Sequence, residues 1–173
     1  MALGRDYEKQ NCSLARALEV IGERWTILVL RDLFYGIHRF TDLQAHLDIP
    51  RAVLTDRLTR LTAEGVVRRS EYQRGRYEYS LTAHGRELWP ALFALSQWGD
   101  RHNAPEGPRR LFSHAPCATD LAAGGMCPGC GTVPAPEEID VRPGPGARPD
   151  RTDAASVALR SRHRLLTPLL TDA

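Results

Sequence analysis

A chain of 173 residues holds one compact domain with length to spare. Its 42% hydrophobic and 25% charged residues are ordinary globular usage and exclude a wholly disordered chain. The net charge of +2 excludes a bulk basic character, and the longest apolar run, Trp25-Thr26-Ile27-Leu28-Val29-Leu30, excludes a bilayer span of ~18 residues.

Leu14, Leu18 and Ile21 fall at i, i+4, i+7 and predict a first helix that stops at Gly22. Trp25, Leu28, Val29 and Leu33 predict a second, ended by Gly36. Thr41-Asp42-Leu43-Gln44 reads as a capping box for a short third helix. Pro50 starts a fourth, whose buried stripe is Leu54, Leu58 and Leu61 and which ends at Gly65. Two runs rich in Val, Tyr and Arg follow, at 66–73 and 76–81, and Arg74-Gly75 between them reads as a β-hairpin turn. Thr82 is expected to cap a long helix carrying Leu88, Leu92, Leu95 and Trp98. Two short helices joined by a tight turn and followed by a hairpin form a winged helix-turn-helix, so the expected class is mainly α with a small β-hairpin.

Composition shifts near residue 103. Nine of the twelve prolines lie from Pro105 to Pro149, and three of the four cysteines lie from Cys117 to Cys130. We expect a winged-helix domain at 1–103, a small Cys/His-rich segment at 104–136, and a Pro/Gly-rich linker and tail at 137–173. Arg142-Pro143-Gly144-Pro145-Gly146-Ala147-Arg148-Pro149 reads as a linker or surface strap. Residues 154–170 predict a short helix.

The fourth helix presents Arg51, Thr55, Asp56, Thr59 and Arg60, with Arg57 at its edge. Arg51 and Thr55 lie near its N-terminus, the end that meets base edges in helix-turn-helix docking. Arginine forks onto guanine, and threonine hydrogen-bonds a base or touches a thymine methyl. Thr59 and Arg60 suit phosphate. A merely solvated amphipathic helix would look similar, but charge favours the nucleic-acid reading. Residues 50–80 hold seven arginines against four acids, a net +3 that exceeds the charge of the whole chain. Arg74 and Arg76 flank the hairpin tip, where they can follow the backbone or enter a narrow minor groove. Lys9 is the only lysine, so 22 of the 23 basic residues are Arg, the residue suited to forked phosphate and guanine contacts.

Several segments together resemble HxlR-type regulators, a branch of the MarR-like winged-helix proteins. They are Cys12-Ser13-Leu14-Ala15-Arg16-Ala17-Leu18, Ile21-Gly22-Glu23-Arg24-Trp25-Thr26, Arg39-Phe40-Thr41-Asp42-Leu43 and Val53-Leu54-Thr55-Asp56-Arg57-Leu58. Glu64-Gly65-Val66-Val67, Tyr77-Glu78-Tyr79-Ser80-Leu81-Thr82, Trp98 and His102 complete the pattern. The resemblance covers about residues 10–103 and implies a bacterial transcription factor that binds pseudo-palindromic DNA as a homodimer paired through its first and last helices. It departs from the family at Pro50, where a Ser cap is common, and at Gln73-Arg74-Gly75, where the wing tip often contains proline. The broad apolar face of Leu88, Trp89, Leu92, Phe93, Leu95 and Trp98 also suits a partner subunit, since left in water it would favour aggregation.

Cys12 stands alone at the start of the first helix, where the helix dipole and Arg16 would favour thiolate. The resemblance makes it a candidate redox sensor; a small buried hydrophobe is the plainer alternative.

His114, Cys117, Cys127 and Cys130 are four candidate metal ligands within 17 positions. Cys127-Pro128-Gly129-Cys130-Gly131 resembles a zinc-ribbon knuckle. Three thiolates and an imidazole would close a tetrahedral, structural zinc site, one ion per subunit, in a segment with few apolar residues of its own. A redox dithiol, disulfides, or a disordered tail with idle cysteines are the alternatives; His114 is the ligand most easily replaced.

The function expected is a sequence-specific DNA-binding regulator, effector- or thiol-responsive. The alternative is a winged-helix protein-interaction module docking through the zinc segment. No phosphate loop, catalytic Ser/His/Asp set or open metal site suggests an enzyme. No charged-then-apolar leader opens the sequence, so a cytoplasmic location is expected.

Overall fold

The computed structural model describes Tyr7 and residues 9–169. Helices α1 (Ser13–Ile21), α2 (Thr26–Phe34), α3 (Phe40–Leu47) and α4 (Arg51–Ala63) are followed by strands β1 (Val67–Gln73) and β2 (Arg76–Leu81). Helices α5 (Ala83–Arg86) and α6 (Trp89–Asn103) come next. Strands β3 (Arg110–His114), β4 (Thr119–Asp120) and β5 (Ile139–Pro143), helix α7 (Ala154–Ala158) and strand β6 (His163–Arg164) complete the order. The mainly α winged helix-turn-helix is present, with its Cys/His-rich segment. Among the described residues no helix is long and apolar enough to cross a membrane.

The core forms where apolar periodicity converges. Val29, Leu30, Leu33 and Phe34 of α2, Leu43 and Leu47 of α3, and Leu54, Leu58 and Leu61 of α4 are all buried. Leu54, Leu58 and Leu61 recur at i, i+4, i+7, so α4 seats one stripe in the core and leaves the opposite face to solvent. The hairpin is antiparallel with Val67 opposite Leu81, and Gly75 takes φ +74° in its turn. That conformation is open to glycine at little cost.

Two helix boundaries differ from expectation. α3 starts at Phe40 with Arg39 as its N-cap, so Thr41 lies inside the helix and no Thr41–Gln44 capping box forms. A β-bridge between Arg39 and Glu78 fixes the chain just before the helix and sets this earlier start. The long helix expected after Thr82 is two. Thr82 Oγ1 accepts from Gly85 N at 3.1 Å and caps only α5. Pro90, which has no N–H for the carbonyl four residues back, opens α6 instead.

Residues 137–169 take more structure than their composition predicts. β5 pairs with β3 in the register Phe112 opposite Val141, in a four-stranded antiparallel sheet ordered β4-β3-β5-β6. Arg142 and Pro143, expected in a linker, finish β5; Pro143 closes the strand opposite Arg110, where its missing N–H ends the ladder. The expected helix at 154–170 is only the five residues of α7, and Leu170 lies outside the described residues. Asp153 caps it by accepting from Ser156 N at 2.9 Å.

The C-terminal sheet shares the winged-helix core instead of building its own. Phe112 stands edge-on to Trp89 at 5.3 Å and to Phe93 at 5.5 Å, and Trp89 meets Phe34 at 5.2 Å. Ile139, Val141, Ala155, Leu159 and Leu165 join the same buried cluster. The chain then returns to α2: Leu166 N donates to Phe34 O at 2.8 Å and Leu169 N to Gly36 O at 2.9 Å. Gly36 holds φ +82°, and a Cβ there would stand 1.9 Å from Thr167 O. Arg151 also reaches Ala45 O of α3 at 2.7 Å.

Candidate nucleic-acid interface and metal centre

The solvent face of α4 and the hairpin enclose a groove of about 930 Å³. Arg51, Thr55 and Thr59 line it from the helix and Arg76 from the wing. Thr55 Oγ1 donates to Arg51 O at 2.9 Å, which holds the threonine methyl and hydroxyl in one orientation near the helix start. The Arg51 guanidinium lies 5.0 Å from the Phe40 ring centroid, and such stacking restrains its fork.

Sequence reasoning missed part of this surface. Arg39 lies 4.9 Å over the Tyr72 ring and Arg69 lies 3.5 Å over Tyr77, and all four line the groove. The signal was the alternation of Arg and Tyr across the hairpin, which places Arg69 diagonal to Tyr77 on one face. Three of the named residues lie elsewhere. Arg57 is tucked against Glu23 at 3.3 Å and Asp56 at 2.9 Å, with only 15% of its side chain exposed. Arg60 is exposed but faces Glu23 at 3.7 Å. Arg74 stands at the turn outside the groove lining, and Gly75 N beside it donates to Glu71 Oε1 at 2.6 Å.

Cys12 is exposed and is the extended N-cap residue of α1. Arg16 does not turn toward it: its guanidinium donates to Tyr7 O and pairs with Glu19 at 3.1 Å. The apolar stripe of α1 is also uncovered, with Leu14 66% exposed, and on α6 Leu95 and Trp98 are each 55% exposed.

His114, Cys117, Cys127 and Cys130 come together, their ligand atoms all within 4.8 Å of one another. Thiolates on a tetrahedral zinc at about 2.3 Å stand about 3.8 Å apart, so the cluster has the size of a metal shell. Three pieces of chain build it, and the turn 115–118 between β3 and β4 carries Cys117. β3 delivers His114 at its end, and the turn 127–132 delivers the Cys127 and Cys130 sulfurs. Gly131 N donates to Cys127 O at 2.8 Å and Cys127 N to Thr132 O at 2.7 Å, with Gly131 at φ +74°. Cys127 is fully buried and His114 nearly so.

Hydrogen bonds from the Thr132 hydroxyl, at 3.1 Å, and from its backbone pull Cys130 down to about 6. Hydrogen bonding to Cys130, then burial, pushes Cys117 up to about 11. His114 turns Nδ1 to Cys130 Sγ at 3.4 Å and Nε2 toward Glu138 Oε2 at 4.0 Å. A carboxylate behind a ligand imidazole helps orient the ring. Glu138 carries no spacing signature and is brought in by the 3₁₀ turn Pro136–Glu138 preceding β5.

Residues 20–107 match the HxlR-like helix-turn-helix family model. The HTH-type transcriptional regulator Rv3095 of Mycobacterium tuberculosis is 41% identical over 137 residues, covering 78% of this chain and 87% of its own. The solved structure of PA1607, described as a transcription factor, aligns at TM-score 0.54 and 37% identity over 58% of this chain and 72% of that one. The redox regulator HypR in its oxidised form aligns at TM-score 0.50 and 32% identity over 53% of this chain and 98% of that one. The family match spans the end of α1, helices α2 to α4, the wing, α5 and α6, and the same fold recurs in these two solved structures: this chain belongs to the HxlR-like helix-turn-helix family.

Proposed function

We propose that this protein is a transcriptional regulator that binds pseudo-palindromic DNA as a homodimer. The observation that carries the reading is the groove between α4 and the wing, lined by Arg39, Arg51, Arg69 and Arg76 and floored by aromatic rings. α4 enters the major groove, where Arg51 and Thr55 read base edges, and Thr59, Arg69 and Arg76 contact phosphate. Arg74 contributes positive potential at the wing tip, while the charges of Arg57 and Arg60 are offset by Glu23 and Asp56. The exposed Leu14, Leu95 and Trp98 form the pairing face through α1 and α6.

A structural zinc bound by His114, Cys117, Cys127 and Cys130 fits the donor set and the burial of Cys127. In this reading 1–103 reads DNA and dimerises, 104–136 carries the metal, and 137–173 ties it back to the helices. Cys12, exposed at the start of α1, is the thiol through which the regulator would respond to oxidants, and the likeness to the redox regulator HypR supports this.

A gel shift on DNA upstream of the protein's own coding region, run as a salt series, tests the reading. Affinity should fall steeply with salt and differ between specific and scrambled duplexes. Binding without salt dependence or sequence preference would refute it.

A further inference from the structure

A second cavity, of about 600 Å³, lies away from the DNA groove, between α2, α3, α6 and the C-terminal segment. We propose that it is a binding site for a small organic anion, a carboxylate or phosphate carried on a ring-sized apolar body.

The size is right for such a ligand, since small-molecule pockets occupy roughly 300–1,000 Å³. The charge is one-sided. Arg31, Arg109, Arg110, Arg148 and Arg151 line the cavity, and Asp100 is the one carboxylate among the lining residues. Other carboxylates stand behind the lining. Asp32 pairs with Arg31 at 2.6 Å and is shared with His46 at 2.6 Å. Glu106 alone serves both Arg148, at 2.6 Å, and Arg109, at 3.1 Å. Asp153 pairs with Arg151 at 3.2 Å.

Arg110 is the residue left over. It donates to Leu159 O and makes no ion pair among the described residues. Its guanidinium lies 5.9 Å from the Tyr35 ring centroid, and so does that of Arg31. Two guanidiniums thus flank one buried ring. Burial pushes the Arg110 pKa down and the repulsion of Arg31 adds to it, against the attraction of Tyr35 and of Asp32, which is itself paired with Arg31. An anion seated between Arg110, Arg109 and Arg148 supplies counter-charge, and forked guanidiniums match the paired oxygens of carboxylate and phosphate. Trp25, Tyr35 and Phe112 offer rings for the apolar body.

The placement is specific to this chain's C-terminal part. Arg109, Arg110, Arg148 and Arg151 lie beyond residue 107, where the family match ends. The cavity also faces α6 along Ser96, Gly99, Asp100 and Asn103, an i, i+3, i+4, i+7 stripe next to the exposed Leu95 and Trp98.

The test is calorimetric titration of the full, metal-loaded chain, without DNA, using benzoate, phenyl phosphate and benzyl alcohol. We expect a saturable isotherm near one per chain for at least one anion, at least tenfold tighter than for benzyl alcohol. Which anion binds identifies the headgroup. Arg110→Gln should weaken that anion at least tenfold, and Arg148→Gln, a change at an exposed side chain that leaves the fold intact, at least threefold. Arg68→Gln on the wing should change nothing. No saturable binding of either anion, equal affinity for the alcohol, or Arg148→Gln indistinguishable from the parent overturns the proposal. Since no DNA is present, failure here leaves the DNA-binding reading to its own experiment.

Discussion

Cys130 Sγ lies 3.4 Å from Nδ1 of His114, a residue 16 positions earlier on a different element. A strand end and a tight turn meet at that point, and the two other sulfurs complete the group. If zinc holds them, purified protein should contain about one zinc per chain, and Cys127→Ser should lose it. Because Cys127 is fully buried, the variant should also unfold at lower temperature. Metal analysis beside a melting curve checks both; a metal-free chain melting where the parent does would end the zinc assignment.

The orientation of Arg51 and Thr55 separates reading from holding. Arg51→Ala should cost roughly 1–3 kcal/mol on the specific duplex and much less on a scrambled one. Arg76→Ala should weaken both duplexes alike and reduce the salt slope by about one. Competition gel shifts at several salt concentrations distinguish the two patterns. Equal losses for Arg51→Ala on both duplexes would reassign it to phosphate.

The uncovered apolar residues on α1 and α6 predict an assembly. Leu95→Glu with Trp98→Ser should convert a dimer of twice the chain mass into a monomer, seen by sedimentation. DNA affinity should fall with it, because paired half-sites then bind one at a time. A parent chain that sediments as a monomer would contradict the pairing face.

Stability should fall in acid. Burial holds the imidazoles of His38 and His163 below their ordinary 6.5. The unfolded chain then binds protons that the folded chain does not, so stability is complete above about 6.5 and declines as pH falls below it. Urea midpoints at about pH 7.5 and 5.5 should differ, and less so in a His38→Gln, His163→Gln variant with zinc retained. An equal pH response in that variant would place the acid sensitivity elsewhere.

Gly36→Ala should loosen the C-terminal return. A Cβ at φ +82° is strained and collides with Thr167 O, at a cost of roughly 1–3 kcal/mol or more. The melting temperature should drop, and proteolysis near 144–149 should accelerate. Unchanged cleavage would mean the return is not held at Gly36.

The winged helix was legible because each helix carries its own periodic stripe. Leu54, Leu58 and Leu61 announce α4 without reference to anything distant. The break before α6 was missed because the apolar pattern runs on past it, while Pro90 acts on the backbone alone. The C-terminal sheet was not legible for a different reason. Its strands are two to five residues long, and Phe112 is buried by Val141 and by rings of α6, none nearby in sequence. Spacing alone found His114, Cys117, Cys127 and Cys130, which the fold brings together, since short Cys-x-x-Cys steps survive without a fold around them. Glu138, Arg39 and Arg69 needed the geometry, because single charged residues carry no such spacing.

The hydrogen bond from Leu166 to Phe34 has a consequence for how this protein is made. It closes a loop of about 130 residues, a strongly non-local contact of the kind that slows folding. A ribosome adding roughly 5–20 residues per second needs on the order of ten seconds between those two residues. Through that interval α3 and α4 are already synthesised, while the backbone at Phe34 and Gly36 still lacks its partners. The winged-helix half of the molecule is therefore born first and completed last.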